Sequence, residues 1–176
     1  MRSWPYEHDG DVPSPGLVAA WWALGCLARE RVPLWAAHWL GEGKDGTALR
    51  DLAGMSGDDP HEVRDVLPAA LREAGVALPD ARDVEAVRQD RKRAWAAMVY
   101  RDIARRCLEG RASPRWVVAK VGEIGAANDY DGLVIDLPVG RLFGMADEWG
   151  AGWGRTDAEL DETVRAACRE QVQASG

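Results

Sequence analysis

Residues 59–75 read DPHEVRDVLPAALREAG and decide the fold class, because they contain the start, the buried face and the end of one α-helix. Asp59 suits the N-cap, Pro60 the first helical position and Glu62 the acidic position of a variant capping box. Pro68 is expected to kink this helix rather than end it. Apolar residues recur every three or four positions, which places them on one helix face: Val63, Val66, Leu67, Ala70, Leu71 and Ala74. Gly75 then ends the helix.

Similar signals recur on both sides of this segment. Ser14-Pro15 and Ser113-Pro114 combine a capping serine with proline at the first helical position, and Thr156 with Glu159 forms a capping box. Thr47 is expected to cap a short helix that Gly54 ends. The pattern predicts eight helices, approximately over residues 15–30, 33–41, 47–54, 60–75, 84–108, 114–125, 138–149 and 156–172.

These signals predict an all-α fold, a compact bundle of about seven or eight helices. Residues 133–137 are β-prone in composition, but five residues do not distinguish a strand from a buried helical segment, so at most one short strand is expected. We expect an extended N-terminal segment over residues 1–15 and a single helical domain over residues 16–176. Residues 76–83, with Pro79 among them, indicate a linker at which the domain could divide into two helical halves.

Composition narrows the class of protein. With 47% hydrophobic residues in 176, the chain is typical of a globular protein, and no apolar run approaches the roughly 20 residues that span a membrane. The acidic start, without a basic segment or a cleavage site, predicts a cytoplasmic protein. The three cysteines are scattered, which favours reduced core thiols and predicts neither a metal site nor a cofactor. Arginine in preference to lysine suggests a GC-rich bacterial genome.

Nine tryptophans are the strongest compositional anomaly. Six of them lie in helical patterns and are expected in the core: Trp21, Trp22, Trp35, Trp39, Trp95 and Trp116. The segment DEWGAGWGRT, residues 147–156, differs because its glycines permit unusual backbone angles around two indoles and several charges. Its candidate ligand-binding or partner-binding residues are Asp147, Glu148, Trp149, Trp153 and Arg155. The alternative is a connector whose indoles cover the core.

Four other segments suggest functional sites, and each also has a purely structural interpretation. Residues 47–75 resemble the helix-turn-helix of small transcription regulators, which would imply DNA binding, but acidic residues at the start of the second helix would repel the phosphate backbone. The arginines of residues 84–108 form either an interaction face for an acidic partner or nucleic acid, or a solvated face with local ion pairs. His38 suits a structural histidine better than a general base. The acidic residues Asp129, Asp131 and Asp136 fit a polar turn rather than a calcium loop.

No arrangement of nucleophile, base and acid is visible in the sequence, so catalysis is left uncertain with non-catalytic action favoured. The leading hypothesis is a cytoplasmic module that binds another protein, of immunity-like or regulatory type, whose acidic surface meets a basic partner. A net charge of −7 supports that choice and makes a nucleic-acid or membrane partner less suitable. The first alternative is a small-ligand-binding protein or enzyme that uses residues 147–156, and the second is a nucleic-acid-binding helical protein.

Overall fold

The computed structural model describes residues 11–79, 82–151 and 154–174, and within these residues helices joined by turns and loops make up the fold, without any strand. The predicted all-α bundle is therefore confirmed, and the β-prone residues 133–137 contain a short helix instead. The eight α-helices are α1 Pro15–Ala23, α2 Val32–Gly41, α3 Thr47–Ala53, α4 Pro60–Glu73, α5 Glu85–Leu108, α6 Pro114–Ala127, α7 Gly132–Ile135 and α8 Asp157–Ala174. No helix within the described ranges is long and apolar enough to cross a bilayer.

The expected helix starts are confirmed at four positions. Ser14 Oγ accepts a hydrogen bond from the Leu17 amide at 3.3 Å, and Asp59 Oδ1 accepts one from the His61 amide at 2.7 Å. Ser113 Oγ accepts from the Trp116 amide at 3.2 Å. Thr156 and Glu159 make the full reciprocal capping box, with the Thr156 amide 2.7 Å from Glu159 Oε2 and the Glu159 amide 3.3 Å from Thr156 Oγ1.

Three expectations about individual helices were wrong. Helix α1 ends at Ala23 rather than near residue 30, because Gly25 adopts a φ of +73° that ends the helical path. Thr47 is not a cap: it is the first helical residue of α3, after the N-cap Gly46. Residues 138–149 contain two 3₁₀ helices, Gly140–Leu142 and Met145–Glu148, instead of one α-helix, since Gly144 between them has a φ of +85°.

The described chain divides into two compact units, residues 11–22 with 27–79 and 82–83, and residues 23–26 with 84–151 and 154–174. In the first unit, α2, α3 and α4 pack together around two indoles, Trp35 and Trp39, which are four residues apart and fully buried. The Trp39 Nε1–H donates to the carbonyl oxygen of Pro13 at 3.0 Å, so its burial leaves no unsatisfied donor. The core of this unit comprises Val18, Ala19, Val32, Trp35, Ala36, Trp39, Leu49, Leu52, Val63, Leu67, Ala70 and Leu71.

The second unit is built on α5, which packs mainly against α8 and also against α6 and α7. Its buried side chains on α5 include Val99, Tyr100 and Ile103, and α8 contributes Leu160 and Val164. The first three turns of α5, residues 85–94, bury no side chain fully, whereas the turns from Ala96 onward do. Helix α5 therefore contributes its C-terminal half to the core.

Candidate functional site

The tryptophan-glycine segment predicted as a site contains an ion pair between two of its own residues. Glu148 ends a 3₁₀ helix, and its carboxylate binds the Arg155 guanidinium in a two-pronged ion pair, Nε to Oε2 at 3.1 Å and Nη2 to Oε1 at 2.6 Å. Hydrogen bonding to Glu148 raises the pKa of Arg155. Two of the predicted binding charges thus neutralise each other, while Asp147 stays exposed beside them.

Trp149 is half-buried and its ring is already in contact with a cation. The Arg115 guanidinium carbon lies 5.9 Å from the ring centroid, and Arg115 Nη2 is 2.8 Å from Asp157 Oδ2 at the start of α8. The segment is thereby tied to α6 and α8, as a structural connector would be. Trp153, the other predicted indole, lies outside the described residues.

The arginine-rich helix α5 carries local ion pairs along its length. Arg88 Nη2 lies 2.9 Å from Glu85 Oε2, and Arg106, whose side chain is buried, has its Nε 3.1 Å from Asp102 Oδ2. Lys92 Nζ lies 2.7 Å from Asp131 Oδ2. These pairs offset positive charge that a phosphate backbone would require, so they favour the interpretation of a solvated, ion-paired face.

The other sequence candidates remain separate from one another. His38 and His61 are both exposed, on α2 and α4 respectively. Helices α3 and α4 do pack as a pair, but the acidic side chains at the start of α4 and just before it are exposed, which opposes an approach to DNA. Within the described part of the chain, no cluster of histidine, cysteine or carboxylate side chains could hold a metal ion.

A surface that sequence reasoning missed lies in the second unit, where two large aromatic rings meet in solvent. Tyr130 is 50% exposed and Phe143 is 44% exposed, and their ring centroids are 4.9 Å apart at an interplanar angle of 49°. Both rings lie over the buried Gly125 of α6: a Cβ built there would be 3.5 Å from each. We call Tyr130 and Phe143 the aromatic pair.

The C-terminus of α6 positions Tyr130. The Tyr130 amide donates to the carbonyl oxygen of Gly125 at 2.9 Å, and the Asp129 amide donates to that of Ala126 at 3.4 Å. These two hydrogen bonds form a Schellman motif. Asp129 and Tyr130 have φ of 51° and 55°, a left-handed conformation that non-glycine residues adopt at a cost. The buried Asn128 side chain donates from Nδ2 to the carbonyl oxygens of Leu24 and Ile124 at 3.1 and 2.9 Å. These bonds hold the strained turn, and with it the tyrosine ring, in place.

A second set of close backbone contacts positions Phe143. A Cβ at Gly140 would lie 2.5 Å from the carbonyl oxygen of Val134, so only glycine permits the observed approach of these two backbones. The amide of Val139 donates to Oε1 of the buried Gln171 on α8 at 3.3 Å. The Phe143 amide donates a hydrogen bond to the carbonyl oxygen of Gly140 at 3.0 Å. These contacts hold the backbone that carries the aromatic pair.

Charges of both signs lie near the aromatic pair along the chain, and the exposed Arg141 precedes Phe143 by two residues. Asp129 is exposed next to Tyr130, and Asp136 is exposed after α7. On the other side of Tyr130, Asp131 binds Lys92 and the Leu133 amide, and these hydrogen bonds hold the pKa of Asp131 below its usual range. An open groove of about 320 Å³ borders this turn, lined by Glu85, Arg88, Gln89, Lys92, Asp131 and Leu133. Both cations of the groove are ion-paired with its carboxylates.

Two sequence signals could have directed attention to the aromatic pair. Tyr130 is an aromatic residue in a turn that is otherwise polar, and Phe143 is the single phenylalanine of the chain. Neither signal places the two rings together, because they lie on different connections and meet only over Gly125. Compared with known proteins, the chain matches no family model, no curated protein and no solved structure.

Proposed function

We propose that this protein is a non-catalytic module that binds another protein, and that the aromatic pair is the anchor of its binding surface. The observation that carries the proposal is the exposure of two touching aromatic rings, 50% for Tyr130 and 44% for Phe143. Leaving large apolar side chains in water forgoes the free energy of their burial, so an exposed aromatic cluster commonly marks an interaction surface. Tyrosine is also enriched among the residues that contribute most to protein association.

The rigidity of the surrounding backbone supports the same function. Association costs less when interface side chains are already ordered, since little conformational freedom is then lost on binding. Here the strained turn at Asp129 and Tyr130 is fixed by Asn128, and the segment before Phe143 is fixed by Gln171. Two aromatic anchors on an ordered backbone suit a partner with an apolar pocket.

The partner we propose is basic. The chain has a net charge of −7, and the exposed Asp129 directly precedes Tyr130 in the chain. Such a surface attracts cationic proteins over long range and repels nucleic acid. A cytoplasmic immunity-like or regulatory role, in which an acidic protein covers a basic functional surface on its partner, fits this chemistry.

A comparison of three immobilised proteins tests the proposal. Wild type, Tyr130→Ala/Phe143→Ala and the control Leu34→Ala/Met98→Ala are used to capture proteins from a lysate at physiological salt. The control removes two other apolar side chains of similar exposure, 44% and 43%. We expect wild type and control to retain the same basic protein in stoichiometric amount, and the aromatic variant to bind it about tenfold more weakly or worse.

Raising the salt concentration should slow association of the captured protein with wild type, because screening weakens attraction between opposite net charges. Circular dichroism of all three proteins checks that the substitutions leave the helices intact. The proposal fails if wild type captures no stoichiometric partner, or if a partner is retained equally by the aromatic variant.

A further inference from the structure

The groove of about 320 Å³ in the second unit lies between the first turns of α5 and the start of α7. Its lining brings together two cations, two carboxylates, one side-chain amide and one aliphatic side chain: Glu85, Arg88, Gln89, Lys92, Asp131 and Leu133. Concave sites of this size hold small ligands, usually with a few polar groups that fix the orientation. The groove is therefore large enough for a small molecule.

The two cations of the groove lie about one helical turn apart on α5. Arg88 and Lys92 are separated by four residues, a spacing that places two side chains on one helix face with their Cβ atoms about 6 Å apart. Like charges at this spacing repel each other and destabilise the helix. An anion that binds both side chains would offset that repulsion.

The two carboxylates of the groove already accept hydrogen bonds on all four of their oxygens. Glu85 Oε2 accepts from Arg88 Nε and Nη2 at 3.1 and 2.9 Å, and Glu85 Oε1 accepts from Gln89 Nε2 at 3.2 Å. Asp131, the N-cap of α7, accepts from the Leu133 amide at 2.9 Å through Oδ1 and from Lys92 Nζ at 2.7 Å through Oδ2. Both carboxylates are thereby held in place.

Hydrogen-bond donors, in contrast, remain on both cations. Arg88 uses Nε and Nη2 for Glu85, and no acceptor from the described residues bonds to its Nη1. The Lys92 ammonium has three N–H groups, and its bond to Asp131 uses one of them. The Arg88 and Lys92 side chains are 49% and 34% exposed, so a ligand in the groove can reach these donors. The polar groups that the groove still offers are mainly N–H donors with positive charge.

We propose that this groove binds a small organic carboxylate, which Arg88 and Lys92 hold through charge-assisted hydrogen bonds. Such bonds between a cationic N–H and a carboxylate are stronger than neutral ones. The charges of the two cations and the two carboxylates in the lining cancel, so a singly charged anion suits the site better than a phosphate, which carries more negative charge. An aliphatic group on the ligand would contact the half-buried Leu133. The proposal is independent of the function proposed above.

Titration of the isotope-labelled full chain, followed by two-dimensional NMR, tests the proposal. Isovalerate, isovaleramide and inorganic phosphate are added separately at constant pH and ionic strength. We expect isovalerate to shift the backbone amide signals of residues 88–92 and 131–133 in a saturable way. Isovaleramide has the same shape without the charge and should bind at least about tenfold more weakly. Inorganic phosphate should also bind more weakly than isovalerate.

Variants assign the binding to the two cations. Arg88→Gln and Lys92→Gln should each weaken isovalerate binding by about tenfold or more, because each removes one charged donor. The control Arg93→Gln removes the same charge at an exposed position outside the lining and should bind isovalerate as wild type does. Circular dichroism checks that the helices of each variant are intact.

The ligand series on wild type and the Arg88→Gln variant decide the question if Lys92→Gln fails to fold. The proposal is overturned if isovalerate shows no saturable binding at these residues, or if isovaleramide or phosphate binds as tightly as isovalerate. It is also overturned if Arg93→Gln loses as much affinity as the two groove variants, since the binding would then depend on general positive charge.

Discussion

At the scale of single residues, the cap of α3 comes from a side chain on another helix. The Leu49 amide, near the start of α3, donates to Glu73 Oε2 at 2.9 Å, and Glu73 is the last residue of α4. A Cβ at Gly46 would lie 2.2 Å from that same oxygen. Gly46 is therefore required to let the carboxylate reach the amide, and the pair replaces the Thr47 cap that the sequence suggested.

Replacing Glu73 with alanine should destabilise the protein by about 1 kcal/mol, the usual contribution of a capping side chain. The physical reason is that the Leu49 amide loses its acceptor at a helix start, where no backbone carbonyl replaces it. Urea unfolding followed by circular dichroism measures the change. Glu42→Ala, at an exposed position just after α2, is the control and should stay within about 0.5 kcal/mol of wild type. Equal stability of the two variants would contradict the assigned cap.

At the scale of elements, two glycines differ in the space that the structure leaves for a side chain. Gly140 lies against the backbone of α7, where an added Cβ would be 2.5 Å from the Val134 carbonyl oxygen and 2.8 Å from that of Ile135. Gly122 lies within α6, and an added Cβ there would meet nothing within 4 Å. The first contact is with backbone, which cannot rotate away, and the second position is open.

Gly140→Ala should therefore destabilise the protein by roughly 1 to 3 kcal/mol through overpacking. Gly122→Ala should stabilise it by up to about 1 kcal/mol, because alanine loses less conformational entropy than glycine in a helix. Thermal unfolding of both variants beside wild type gives opposite shifts of the midpoint. A Gly140→Ala midpoint at or above that of wild type would mean that the approach between these backbones is looser than described.

At the scale of the whole molecule, each compact unit has its own fully buried residues. Leu71 belongs to the core of the first unit and Ile103 lies in the core of the second, and both have no exposed surface. Each unit with its own core can open cooperatively, because the loss of packing in one core destabilises first the residues that form that core.

Truncation of each core residue tests whether the units open separately. Leu71→Ala and Ile103→Ala should each cost about 2 to 5 kcal/mol in the unit that contains them. In hydrogen exchange measured by mass spectrometry, Leu71→Ala should accelerate exchange mainly in α2, α3 and α4, and Ile103→Ala mainly in α5, α6 and α8. Uniform acceleration by both variants would instead show one cooperative unit.

The amino-acid sequence determined the helical class and most helix starts, since these depend on residues that are neighbours along the chain. Asp59, Ser113 and Thr156 cap their helices through amides two or three residues away, so local spacing suffices to find them. The apolar periodicity of α4 and the burial of Trp35 and Trp39 follow from the same short-range geometry.

Tertiary structure alone decided the features that depend on residues far apart. The Glu73 cap and the placement of Tyr130 beside Phe143 each join segments that no periodicity relates. The predicted helix over residues 138–149 is absent because the backbone at Gly140 packs against that of α7 and Gly144 turns the chain. The spacing of apolar residues determines which face of a helix is buried. The packing of the whole unit determines which other helix that face contacts.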